Sequence, residues 1–555
     1  MSETVYQQFR ESAEKNPQLA FLCYPASATR GYCAEGIEFS YGEALQRVDA
    51  LAGTYRRAGY GAGHRIALSA GNYPEHFWHL LALNSIGACV VTLNESYLPD
   101  EMAYGIGFPN CSLVLTATPW LAKVRQAVST LASPPPVIDV AELPNDFPPP
   151  SVAAVEIPAA PSDRAALIIY TSGTTGRPKG CVISNTSCLA AGECYTGAGG
   201  LITFHQGTDR LYIPLPAFHM NVSVYTLNSI TRLGNCMIMQ DRFSVSRWLH
   251  DLIETRATCF HYLGIIPPLL IKTAPTKDDK RHNARFGSGA GVDPLVRTVF
   301  EERYGVPLVE AWGMTETSRS IQNSTLPRCL DLRAFGRPRP PLEVRVVDDN
   351  DNPVPSNMPG ELLVRASGRD PRMGFFSGYL NMPEETEHAW RGGWFHTGDV
   401  VRQRDDGILC FVDRRKNIIR RSGENIAAAE IEEALLVLPG VKGVAALAVE
   451  DELHDEEVMA CIVLMPGVAC SQTTAEQLLA DLRGKLGISK MPAWIAFVDE
   501  LPITGTQKIQ KGLIFAAGQD PRTDPRTFDL RQVKRNMRVA DIADAQAQAP
   551  VGSPQ

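Results

Sequence analysis

The stretch Tyr170-Thr-Ser-Gly-Thr-Thr-Gly-Arg-Pro-Lys-Gly180 constrains this chain more than any other, because it sets Gly, Ser, Thr and one Lys in a single loop after the apolar run at residues 165–169. Glycines let backbone amides converge on one point and hydroxyls add donors, so such a loop grips negative oxygens without bulky side chains. Ser172, Gly173, Thr174, Thr175 and Gly176, flanked by Thr171 and Lys179, are the candidate donors. The ordinary phosphate loop reads Gly-x-x-x-x-Gly-Lys-Ser/Thr. Here Pro178 precedes Lys179 and Gly180 follows it, which removes the second glycine and the magnesium-binding hydroxyl of that pattern. A kinase or GTPase reading fails, and a polyphosphate cradle of another type remains.

Composition narrows the class. At 555 residues the chain is too long for one ordinary domain, and 44% hydrophobic with 21% charged residues supplies an ample core. A net charge of -8 and a pI near 5.8 argue against nucleic acid as the main ligand. The 13 cysteines form no Cys-x-x-Cys pair, so neither a zinc site nor a disulfide framework is suggested and a reducing compartment is expected. The first ten residues lack an apolar signal core, and residues 76–92 are broken by His79, Asn84 and Ser85. A buried helix running into a strand is expected there rather than a membrane span, and the protein is expected to be cytoplasmic.

Four further motifs follow the loop in order: Trp312-Gly-Met-Thr-Glu-Thr317, Thr397-Gly-Asp399, Asp413-Arg-Arg-Lys-Asn-Ile-Ile-Arg-Arg-Ser-Gly-Glu-Asn-Ile426 and Pro502-Ile-Thr-Gly-Thr-Gln-Lys-Ile-Gln-Lys511. Each is weak alone; their joint order across residues 170–511 is not. Together they resemble the signature of the adenylate-forming superfamily of acyl-CoA synthetases, luciferases and peptide-synthetase adenylation domains. The similarity is greatest to the crotonobetaine/carnitine-CoA ligase branch, through Pro216-Ala-Phe-His219, Gly313-Met-Thr-Glu-Thr317, Val412-Asp-Arg-Arg415 and Ser422-Gly-Glu-Asn-Ile426.

The resemblance implies roles. ATP and AMP would be held by the loop, by Gly289 and Ala290 of the run Gly287-Ser-Gly-Ala-Gly291, and by Glu310, Ala311, Trp312, Gly313, Met314 and Thr315. Trp312 can stack on adenine, although the family more often has Tyr, and Glu316 offers Mg2+ a hard carboxylate oxygen. Asp399 and Arg414 would hold the ribose, and Lys416 would be the hinge. Ser422, Gly423 and Glu424 would face coenzyme A, and Lys508 would be the catalytic lysine, with Gln507 where many members have Gly. His219, Asn221, Ser223, Tyr225, Gly264 and Gly287 would border the acyl group, and His219 is grouped with Thr315, Glu316 and Lys508 as catalytic. Asn221, Ser223, Tyr225 and Asn228 at helical spacing could share one polar face, which would favour a short to medium aliphatic or carnitine-like acid over a fatty acid. The bland alternative is that these groups bond to neighbouring backbone.

The expected fold is α/β: a large N-terminal adenylation domain at residues 1–415, made of two doubly wound subdomains and a small β-barrel, then a mobile α+β lid at 416–522. A flexible tail is expected at 523–555. The proline-rich stretch 134–161 reads as a connector between the subdomains. Strands are expected at 65–69, 209–215, 257–262, 284–289, 342–347, 441–449 and 458–464, with helices at 42–59 and 427–438. An acyl-CoA ligase using ATP, Mg2+ and CoA on a small carboxylic acid is the favoured activity, with a homodimer the self-association considered. Loading of a free-standing carrier protein, a luciferase-like oxidase and a non-catalytic nucleotide-binding regulator stay open as alternatives.

Overall fold

The computed structural model describes residues 2–27, 33–143, 147–171, 178–330, 332–421, 424–451, 455–503, 509–516 and 518–537. The chain divides into two compact units. One comprises Met1–Arg345, Leu363–Thr397 and Gln403–Cys410; the other comprises Val346–Leu362, Gly398–Arg402 and Phe411–Gln555. A five-stranded sheet (Ala334–Gly336, Leu409–Arg414, Phe395–Gln403, Pro359–Ala366, Leu342–Val347) carries the segments where the chain passes between units, and stands where the small barrel is expected.

Two large sheets build the first unit. One has seven strands in the order Gly378–Tyr379, Lys179–Ser184, Ala165–Thr171, Cys89–Thr92, Arg65–Ser69, Leu113–Thr116 and Val137–Asp139. The other has eight, in the order Ser320–Gln322, Leu308–Gly313, Phe286–Ala290, Cys259–Leu263, Arg210–Ile213, Cys236–Met239, Ala20–Tyr24 and Ile37–Ser40. Their inner strands run parallel and are nearly wholly buried, which is why Ala165–Thr171 reads as a continuous apolar run rather than an alternating one. Val137–Asp139 pairs parallel with Leu113–Thr116, so the stretch read as a connector contributes a strand to the sheet. Prolines flank those three residues without interrupting them.

Helix Pro74–Ser85 is buried on nearly every side and runs into strand Cys89–Thr92, as its sequence suggests. Its two histidines are satisfied inside the core: His79 Nδ1 lies 2.6 Å from the Tyr55 hydroxyl and His76 Nε2 lies 2.9 Å from Ser223 Oγ. Burial holds both rings near pKa 3, so they stay neutral. Among the described residues no helix is long and apolar enough to cross a membrane.

In the second unit, strand Asp455–Leu464 pairs with Val441–Asp451, Ile418–Arg421 and Trp494–Phe497, and helices Ala428–Leu436 and Gln472–Asp481 pack on this sheet through Ile431, Leu435, Leu478 and Leu479. Within the tail expected from residue 523, the described residues 523–537 pack onto this sheet. Thr527–Asp529 pairs with Trp494–Phe497, Leu530 is fully buried, and Lys534 donates to Glu457 Oε1 at 2.9 Å. Lys534, a charge in that tail, thus supplies a buried ion pair. Residues 538–555 lie outside the described part.

Candidate active site

The parallel strands Arg210–Ile213, Cys259–Leu263, Phe286–Ala290 and Leu308–Gly313 end on one edge of the eight-stranded sheet. In open α/β sheets the carboxyl ends of strands form the ligand crevice. Here those ends carry the segment from Pro214 to Asn221, Gly264, the glycine run and the Thr315–Glu316 turn.

Glycine is required in that run by packing. A Cβ on Gly289 would lie 2.2 Å from the Tyr262 carbonyl oxygen, and one on Gly264 would lie 2.1 Å from the Gly291 carbonyl oxygen. Gly287 is buried in mid-strand, where a Cβ would meet the Phe260 ring at 2.4 Å. Its assignment to the acyl pocket is therefore corrected: it lets neighbouring strands close up. Ala290 and Gly313, at the strand ends, are exposed. Glu310 is not presented to a ligand by its side chain, which is buried and accepts from the Gly291 amide and, at 3.3 Å, from the Tyr262 hydroxyl. It braces the loop that holds Gly289 and Ala290.

Strand Leu308–Gly313 delivers Trp312, which is buried and stacked on Phe335 at 6.0 Å between ring centres. The next turn is closed by Thr317, whose hydroxyl donates to the Arg319 carbonyl at 2.9 Å and accepts from the Met314 amide at 3.2 Å. Thr315 and Glu316 thereby sit at its tip, both buried. Glu316 Oε1 accepts from the Tyr379 hydroxyl at 3.1 Å. The Tyr379 ring carries Lys179 Nζ at 5.0 Å from its centre, and Lys179 also pairs with Glu385. Burial, and then the Glu316 charge, hold the Tyr379 phenol far above its ordinary pKa, so it remains a donor. Thr171 pairs with Lys179 across the hairpin that carries the cradle, while residues 172–177, and with them Ser172, Gly173, Thr174, Thr175 and Gly176, lie outside the described part. The structure thus joins two motifs some 137 residues apart, Lys179 and Glu316, through a tyrosine that the sequence reading missed. Tyr379 belongs to a two-residue strand whose pairing with Cys181 has no periodicity to announce it.

The acyl-side residues do not share one face. Residues Asn221–Thr226 form a π-helical turn, so spacing computed at 3.6 residues per turn fails there. Ser223 is fully buried, donating to the Ala217 carbonyl at 2.5 Å and meeting His76, and Asn228 donates to the Val224 carbonyl at 2.8 Å. These two are structural, as the bland alternative has it. Asn221 Oδ1 lies 2.7 Å from Nδ1 of His261, whose Nε2 meets the Tyr195 hydroxyl at 2.6 Å; burial keeps His261 near pKa 3. His219 is partly exposed and its carbonyl starts the π turn.

In the second unit Arg414 Nε meets Asp399 Oδ1 at 2.7 Å, so the two candidate ribose residues stand together. Gly398, at φ +68°, turns its amide to Glu361 Oε1 at 3.0 Å and so sets the Asp399 backbone. Lys416 lies in a single turn, Arg415–Asn417, between strands Leu409–Arg414 and Ile418–Arg421. Glu424 begins strand Glu424–Ala427, paired with Arg421; Ser422, Gly423 and Lys508 lie outside the described residues.

The family model for AMP-binding enzymes matches residues 9–380, and that for the AMP-binding enzyme C-terminal domain matches residues 430–508. The chain belongs to the AMP-binding enzyme family. Within it the chain is an AMP-forming acid–thiol ligase of the acyl-CoA synthetase type. It is 28% identical over 492 residues to a crotonobetaine/carnitine–CoA ligase of Salmonella paratyphi A, covering 86% of this chain and 93% of that protein. It is 29% identical over 487 residues to a sulfoacetate–CoA ligase of Cupriavidus necator, covering 86% and 92%. The fold matches ATP-bound MatB from Rhodopseudomonas palustris with a TM-score of 0.76 at 23% identity, over 93% of this chain and 98% of that one. It matches o-succinylbenzoate CoA synthetase (MenE) from Bacillus subtilis, in complex with its acyl-adenylate, with a TM-score of 0.76 at 22% identity, over 92% and 98%.

Proposed function

We propose that this chain converts a short to medium aliphatic acid with a polar or charged head, of which carnitine-like acids are one class, into its CoA thioester through an acyl-adenylate. The observation that carries the reading is the join of Lys179 and Glu316 through Tyr379, beside the open strand ends that carry Ala290 and Gly313. It gathers a cation for phosphate and a carboxylate for a divalent metal into one place in a chain of the AMP-binding enzyme family.

A carboxylate is a poor acyl donor because its oxygen is a bad leaving group. In the first half-reaction a substrate carboxylate oxygen attacks the α-phosphorus of ATP, the bond to the bridging oxygen breaks, and pyrophosphate leaves. Both reactants are anions, so positioning and charge neutralisation carry the rate. Lys179 and the hydroxyls of the cradle hold the departing phosphates, and Lys508 neutralises the incoming carboxylate and the α-phosphate. Glu316 suits Mg2+: it is a buried hard donor whose Oε1 accepts from the Tyr379 hydroxyl, with the Cys181 thiol as its other neighbour. Mg2+ supplies charge neutralisation at phosphate oxygens when bound. Asp399 and Arg414 hold the ribose hydroxyls. In the second half-reaction the CoA sulfur attacks the acyl carbonyl and AMP leaves, with Ser422, Gly423 and Glu424 beside the thiol and Lys416 as the pivot between the two stages.

The test is pyrophosphate release over a panel of acids, followed by CoA addition. Acid-dependent release with a thioester product is expected, short to medium aliphatic acids exceeding palmitate and benzoate. Release without thioester transfer would place the acceptor elsewhere, and no release from any acid would overturn the reading.

A further inference from the structure

Arg319 follows the Thr315–Thr317 turn and is 7% exposed. Among the described residues its guanidinium makes one hydrogen bond, from Nη2 to the Met373 carbonyl at 3.2 Å, its buried Nε has no partner, and no acidic side chain pairs with it. Room for the group is built in. Gly374 holds φ +76°, and a Cβ there would lie 2.5 Å from Nη2. Beside Arg319 lies the Tyr225 phenol, also buried, with Thr317, Cys194 and Arg319 as its neighbours among the described residues. Tyr225 sits on the π turn, a form enriched at functional sites. A Cβ on Gly313 would lie 3.5 Å from its oxygen and 3.2 Å from the Arg319 backbone carbonyl, which puts the Tyr225 phenol and the Arg319 backbone next to an exposed strand end of the site.

A buried cation with a donor unsatisfied and no acidic partner is costly unless an anion meets it. The guanidinium fork matches a carboxylate or sulfonate, and a phenol beside it adds a donor. We propose that Arg319, assisted by Tyr225, binds a second anionic group at the far end of the acyl substrate. This rests on the acyl-CoA ligase reading and specifies its substrate: an acid bearing a carboxylate or sulfonate distal to the one activated. Among the polar and charged heads of that reading it selects the anionic ones over the carnitine-like ones, because a trimethylammonium head would set like charges together in a desolvated place.

The test compares pyrophosphate release for succinate against butyrate and glutarate against pentanoate, with sulfoacetate and carnitine alongside. The anionic member of each pair should have the higher kcat/KM by about ten- to a hundredfold, the scale of a charge-assisted hydrogen bond, expressed mainly in KM. In Arg319→Met the ratio should fall to about one, and Arg319→Lys should restore part of it. Protection of the wild-type protein against thermal unfolding by succinate, and its absence with butyrate, gives a readout that needs no turnover. Butyrate or carnitine outperforming the dicarboxylates in the wild type, or a ratio that survives Arg319→Met, would overturn the assignment. If butyrate is turned over and succinate is not, the ligase reading stands and only this inference fails; release from no acid removes both.

Discussion

Replacing Tyr379 by Phe removes one hydroxyl and keeps the ring beneath Lys179, so it isolates the bond to Glu316. That bond is 3.1 Å long, its donor is held protonated by burial, and its acceptor is a buried carboxylate. A hydrogen bond to a charged group contributes about 1.5–3 kcal/mol, which corresponds to roughly ten- to 150-fold. Losing a partner that orients a metal ligand costs about 10- to 100-fold in metal affinity or activity, an independent figure of the same size. ATP–pyrophosphate exchange measured against Mg2+ concentration should therefore show the half-saturating Mg2+ rising by about tenfold or more in Tyr379→Phe. Tyr379→Leu, which also loses the ring contact to Lys179, should be worse by a further ~0.5–1 kcal/mol. A Tyr379→Phe enzyme with wild-type Mg2+ dependence and only a lowered melting temperature would show that the tyrosine merely packs, and the join between the two motifs would lose its meaning.

Three further outcomes are expected. His76, His79 and His261 are held near pKa 3 by burial, below the ~6.5 of an unfolded chain. The unfolded state then binds more protons below pH 6.5, and stability present at neutrality should fall as pH drops from about 6.5 towards 4, with an uptake approaching three protons on unfolding; a slope with no contribution from His76→Gln or His261→Asn would contradict this. Asp399→Ala, which removes the partner of Arg414, should raise the KM for ATP by about tenfold in pyrophosphate exchange, and an unchanged KM would remove the ribose assignment. Lys508→Ala should lower adenylation by about a hundredfold while leaving transfer from supplied acyl-adenylate to CoA largely intact, and equal loss of both halves would refute two separate stages.

Elements with a strong local signal were legible. Strand Arg65–Ser69, a short run buried from Ile66 onward, and strand Leu342–Val347 stand at the bounds read for them. The motif order led to the family because glycine, lysine and acidic positions are fixed by ligand chemistry. What could not be read was set by partners distant in sequence. Ser223 looks like a pocket hydroxyl until His76 is seen to occupy it, and the π turn at Asn221–Thr226 breaks the periodicity on which the polar-face argument depended. Tyr379 is invisible because its role exists only once Cys181 pairs with it and Glu316 folds above. Lys534 reads as a tail charge, and becomes a core residue only because Glu457 is buried where it can reach.

The central claim is that one chain makes an acyl-adenylate and then hands the acyl group to CoA. A single-turnover experiment with ATP, Mg2+ and a substrate acid but no CoA, quenched and resolved by mass spectrometry, tests it most directly. The account predicts an enzyme-bound acyl-AMP approaching one per chain, stable until CoA is added and then lost as AMP and acyl-CoA appear in equal amounts. Acyl-CoA formed with ADP and phosphate as products, or acyl-AMP that persists unchanged in the presence of CoA, would contradict it.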